Sequence, residues 1–218
     1  MQSIALVAGP LMFAVSTFFW QSDGRYGVIA GPMVVLALVL WLYGLLALFD
    51  TLRERLPRYV AVALLVAVYG AIGGSDFGLR GFYDGVFHLS PTASLAALAP
   101  YPTQADLMFF WPGPLFPISL LSLAVTLTWT RTVPLWSGFL LGVGAAAFPL
   151  GIVPRIPWIA HLITAVLVAA FLYPAWTCWQ GRPATAEPGV WPSAGRSSRG
   201  GPAWRRTRRS SAPGSPPV

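Results

Sequence analysis

The sequence has no lysine, a single cysteine (Cys178) and two histidines, and charged residues make up only 10% of its 218 positions. One cysteine excludes an intramolecular disulfide and any metal site built from several thiolates. The charged fraction falls far below the roughly 25% of a soluble domain, so a water-facing globular surface is excluded as well. No compact catalytic spacing such as HExxH occurs, and nothing in the pattern implies a cofactor. With arginine as the sole basic residue and Ala, Gly, Pro and Val abundant, the composition suggests a GC-rich bacterial genome.

What the sequence has instead is long apolar runs. A hydrocarbon core about 30 Å thick requires roughly 20 apolar residues per helical crossing. Runs at 4–20, 28–49, 59–74, 107–130, 135–152 and 157–176 approach or meet that length. In lipid, backbone groups must bond within their own segment, so the runs are predicted to be helices. The fold class expected is an all-α, polytopic membrane bundle of six transmembrane helices over residues 1–180. The first run has no basic residue ahead of it and no small-residue cleavage site after it, and is read as a retained span.

Arginine placement predicts orientation. Alternating spans put Arg53, Arg55, Arg58, Arg131 and seven tail arginines on one side, against Arg25, Arg80 and Arg155 on the other. The positive-inside rule then places both termini in the cytoplasm of a multi-pass protein of the cell membrane. Residues 181–218 hold seven Pro, six Gly and six Ser, and one acid, Glu187; a disordered tail is expected. Within it, Arg205, Arg206, Arg208 and Arg209 would contact anionic lipid headgroups. No folded module accompanies them, and no nucleic-acid partner is expected. The bilayer itself is the main partner.

Ionisable groups near apolar spans are functional hypotheses by default, and here they gather on the predicted outer side. In the segment 75–89, Asp76, Arg80, Asp84 and His88 recur every four residues, which on a helix forms one polar stripe. Phe77, Leu79, Phe82, Tyr83, Val86 and Phe87 fill the other faces. An outer-face amphipathic helix is therefore predicted, either continuing the third span or lying at the interface. Ser90-Pro91 resembles an N-cap followed by proline at the first helical position, opening a short helix over 92–99. The prolines at 112, 114 and 117 are expected to break the fourth span in its outer half, beside the stripe.

Glycines four residues apart (Gly70, Gly74 and Gly78; Gly138 and Gly142) predict close helix packing, with a hinge at Gly73-Gly74 as an alternative. The functional expectation is a non-enzymatic sensor, transport component or accessory subunit with an outward-facing polar pocket. Asp76, Arg80, Asp84, Asp106 and His161 are the candidate ligand-binding residues. Two other readings stand beside it. One is an outer-leaflet or intramembrane metal-dependent enzyme using His88, His161 and Asp84. The other is a structural partner whose glycine faces join further copies or other subunits in a homo- or hetero-oligomer.

Overall fold

In the computed structural model, residues 1–180 are described, and every regular element among them is helical. The helices are α1 (Gln2–Ser16), α2 (Gly27–Arg53), α3 (Pro57–Val86), α4 (Pro91–Leu98), α5 (Pro102–Ala105), α6 (Pro112–Trp129), α7 (Leu135–Ile152) and α8 (Pro157–Trp179). Six are long and apolar enough to cross a membrane: α1 with its 3-10 extension Thr17–Phe19, α2, α3, the stretch Pro102–Trp129, α7 and α8. The chain is thus a multi-pass membrane protein. The predicted tail, with Arg205, Arg206, Arg208 and Arg209, lies outside the described residues.

Neighbours pack in the order α1, α2, α3, α6, α7, α8 and back to α1, a closed ring. Trp41 of α2 fills its centre with no exposed surface. The indole meets Phe13, Phe116 and Phe171 edge-on, at centroid distances of 6.2, 5.1 and 5.7 Å. Outward faces carry Leu36, Val39, Val62, Leu65, Val125, Phe139 and Leu172, each largely exposed. A contiguous apolar exterior is an aggregation hazard in water and the ordinary state in lipid.

Helices approach where glycine removes the side chain. A Cβ on Gly9 would stand 2.5 Å from the Trp41 backbone, one on Gly31 2.5 Å from the Gly78 carbonyl, and one on Gly74 2.7 Å from Leu38. Gly70 likewise abuts Phe116, and Gly138 abuts Thr128. Gly142 differs, since a Cβ there would meet only Ala124 and Leu121 at ordinary distances of 3.8–3.9 Å. The glycines predicted to pack are therefore used within the ring, apart from Gly142.

One alternative left open by the sequence is settled, and two details of its reading change. The third span and the amphipathic segment form one 30-residue helix, α3, with no break at Gly73-Gly74; Gly73 packs on Pro112. The helix closes one residue before Phe87, with Leu89 N–H bonded to the Asp84 carbonyl at 2.9 Å and His88 in the left-handed region at φ 52°. That is a Schellman ending, so His88 leaves the stripe. The second change is at the prolines: Pro112 opens α6 and Pro114 sits in its first turn, where a missing N–H costs no hydrogen bond. Only Pro117 is inside the helix. The irregularity falls earlier, in a π-helical turn at Asp106–Phe110, where Trp111 N–H reaches the Asp106 carbonyl at 2.8 Å.

Candidate functional site

At the end of the bundle where α3 stops, four elements converge. The loop between α1 and α2 supplies Arg25, α3 supplies Arg80 and Asp84, α4 supplies Pro91 and Leu95, and the α7–α8 turn supplies Arg155. Together with Phe77, Gly81 and Phe110 they line a cavity of about 220 Å³. Three arginines and one carboxylate share this wall, which makes it basic.

The arginines are held to different degrees. Arg25 Nε donates to Asp23 Oδ2 at 2.7 Å, and its Nη1 donates to the Leu89 carbonyl, joining two loops. Burial pushes the Asp23 carboxyl upward, but the hydrogen bonds from the Arg25 backbone N–H and guanidinium, with the charge of Arg25, together outweigh it and hold the group below its ordinary value. Arg80 Nε donates to Ser94 Oγ at 2.9 Å and stands 3.8 Å from Asp84 Oδ2; its guanidinium also lies 5.9 Å from the Phe109 ring centroid. Ser94 is the one buried residue of α4, so this bond pins the short helix over the cavity. Ser90 caps α4 by accepting from Ala93 N–H at 3.2 Å, as the sequence predicts.

Arg155 is the least committed. It occupies the left-handed region at φ 55° because α7 ends in another Schellman turn, with Ile156 N–H on the Gly151 carbonyl at 3.1 Å. Its guanidinium lies over Tyr26, 5.1 Å from the ring centroid. Burial raises the Tyr26 phenol, and Arg155 draws it only part of the way back. The ring is therefore neutral at physiological pH, and the contact is cation–π without charge compensation. Among the described residues no carboxylate pairs with Arg155.

Arg155 also borders two further cavities. One, of about 390 Å³, runs inward between α1, α2, α3, α6 and α7; its wall is apolar and rich in aromatics, and it shares Phe77 and Phe110 with the basic cavity. The other, of about 680 Å³, is lined by Thr17, Phe18, Trp20, Asp23 and His161 among others. There His161 Nδ1 is 2.7 Å from Thr17 Oγ1, and Phe18 stacks on the imidazole at 4.1 Å. The Thr17 hydroxyl also contacts the Ala14 carbonyl at 2.6 Å. A carbonyl only accepts, so the single hydroxyl proton goes there and His161 Nδ1 carries a hydrogen.

Of the five residues expected to form one pocket, the structure brings Arg80 and Asp84 to the basic cavity. It sets His161 in the neighbouring one, and places Asp76 and Asp106, both half-buried, in the wall of neither. Arg25 and Arg155 complete the basic cavity, and the signal for them is that they are the other two arginines on the predicted outer side. The weak metal set does not assemble: His88 is exposed past the end of α3, Asp84 is buried beside Arg80, and His161 is held by Thr17. Among the described residues no three His, Cys, Asp or Glu side chains converge. Comparison with protein-family models, curated proteins and solved structures finds no match.

Proposed function

We propose that the chain is a non-enzymatic, multi-pass protein of the cell membrane that binds a small anionic ligand in an outward-facing pocket, as a sensor, transport component or accessory subunit. The observation that carries this reading is three arginines lining one cavity with Asp84, among the described residues, as the only acid in its wall. Partly buried charge is retained at a cost unless something compensates it, and an anion is the compensating species this wall fits. The arginine asymmetry of the sequence supports an outward-facing mouth and cytoplasmic termini. One finding favours this over a purely structural partner role: the predicted packing glycines other than Gly142 are used inside the ring.

The test is equilibrium binding of glycerol phosphate to the purified protein at fixed ionic strength. Saturable binding that inorganic phosphate displaces, and that Arg155→Gln weakens, supports the reading. Absence of binding, or binding indifferent to Arg155→Gln, overturns it.

A further inference from the structure

The basic cavity abuts an apolar one, and Phe77, Phe110 and Arg155 line both. Building on the anion site proposed above, we infer that its ligand is a phosphate-headed lipid. The headgroup lies among Arg25, Arg80 and Arg155, and a single hydrocarbon chain occupies the aromatic chamber.

Depth supports a lipid in place of a soluble anion. At 1.5 Å per residue, the 30 residues of α3 extend about 45 Å, against a hydrocarbon core of about 30 Å. Arg58 and Tyr59 mark one interface, so the overhang falls at the other end, where Arg80 and Asp84 stand. The arginines therefore sit at headgroup level, where long cationic side chains reach phosphate. From Tyr26 down to Leu38, both of which line the chamber, α2 descends about 18 Å.

Volume selects one chain. At about 30 Å³ per water-sized group, the chamber's 390 Å³ accepts on the order of a dozen such groups, a single acyl or prenyl chain and not a pair. Donor geometry selects phosphate. Arg25 has committed its Nε and Nη1, and Arg80 its Nε. The second Nη of Arg25, both Nη groups of Arg80 and the whole Arg155 fork remain without hydrogen bonds among the described residues. Several forks arriving from a loop, a helix and a turn match the several oxygens of a phosphate better than the two of a carboxylate.

A chain gains little by leaving lipid for an apolar protein wall, so high overall affinity is not diagnostic; dependence on the chamber is. The experiment titrates protein in detergent with glycerol phosphate, lauroyl lysophosphatidic acid and uncharged monolaurin, followed by native mass spectrometry. Gly113 lines the chamber, and a Cβ there meets only Phe77, at 3.2 Å. Gly113→Leu is expected to weaken lysophosphatidic acid by about tenfold, equivalent to ~1.4 kcal/mol, while leaving glycerol phosphate unchanged. Ile152→Phe, which fills the same space from α7, repeats the test where Gly113→Leu folds poorly. If both variants bind lysophosphatidic acid like the wild type, the chain site is overturned and the anion site stands. If neither phosphate probe binds, or monolaurin binds as well as lysophosphatidic acid, both readings fall.

Discussion

Replacing Arg155 by glutamine separates a ligand-directed arginine from a structural one. Gln keeps the left-handed backbone and its cost, so the loss is confined to the guanidinium. On the binding side, one charge-assisted hydrogen bond contributes about 1.5–3 kcal/mol, which weakens a phosphate probe by about 10- to 150-fold. On the stability side, the contact with Tyr26 at 5.1 Å disappears, a loss of about 0.5–2 kcal/mol. Relief of an uncompensated charge beside Arg25 and Arg80 offsets it by a similar amount. Net stability should change by about 1 kcal/mol or less, within about 2–4 °C in Tm. Arg155→Gly adds a control: it removes the same guanidinium and relieves the left-handed strain of φ 55°, so it should melt about 1 kcal/mol higher than the Gln variant. Thermal unfolding of both variants, with and without glycerol phosphate, reads both quantities. A Gln variant that loses more than about 3 kcal/mol of stability, or that still gains wild-type stabilisation from the probe, refutes the reasoning; the first result would make Arg155 a brace for the α7–α8 turn.

Trp41→Ala should cost about 3–5 kcal/mol, because the indole closes the ring centre. Trp41→Phe should cost about 1 kcal/mol or less, since the buried Nε1 has no hydrogen-bond partner among the described residues and its loss removes a desolvated donor; unfolding in mixed micelles compares the two. Gly31→Leu should collapse the monodisperse peak in size-exclusion chromatography, because its Cβ would stand 2.5 Å from the Gly78 carbonyl, whereas Gly142→Leu should elute as wild type with its nearest neighbour 3.8 Å away. The Asp23 carboxyl, followed by carbon NMR, should titrate below its ordinary 3.8, and its midpoint should rise in Arg25→Gln. A depressed carboxylate stabilises above the unfolded pKa and loses that contribution as pH falls through the folded one, so the Asp23–Arg25 link should be intact at neutral pH and release only in acid below 3.8.

Six helices, the capped start of α4 and most glycine contacts are legible in the sequence because each depends on local physics: run length against bilayer thickness, a Ser-Pro cap, and small residues one helical turn apart. The stripe in 75–89 is legible for the same reason, up to the point where the chain turns at His88. The cavity is not. The four-residue rule relates Arg80 to Asp84 on one helix, but says nothing of Arg25 or Arg155, 55 and 75 residues away. Those two arrive only when the ring closes α8 onto α1. Asp76 and Asp106 share the predicted side of the membrane with the arginines without sharing their wall, because a side of a membrane is a much weaker constraint than a face of a helix. Proline misled for a related reason. Its cost depends on position within a turn, and two of the three prolines fall in the first turn of α6, where they remove no hydrogen bond.

The three arginines show how such a wall can hold an anion without collapsing when it is absent. Were all three free, their mutual repulsion would open the mouth; were all three paired, nothing would be left to bind. Arg25 is fixed by Asp23 and the Leu89 carbonyl, so it cannot retreat into water when the ligand leaves. Arg80 is fixed through Nε alone, and an anion on its Nη groups leaves the Ser94 bond intact. Ligand and the short helix α4 can therefore be held by the same side chain at once. Arg155 has no such tie, and its charge is what the first two leave uncompensated. Because two of the three guanidiniums are already ordered, binding immobilises only the third, which lowers the entropic cost of assembling the site. By this logic the free arginine governs affinity, and the tied ones govern where the anion sits.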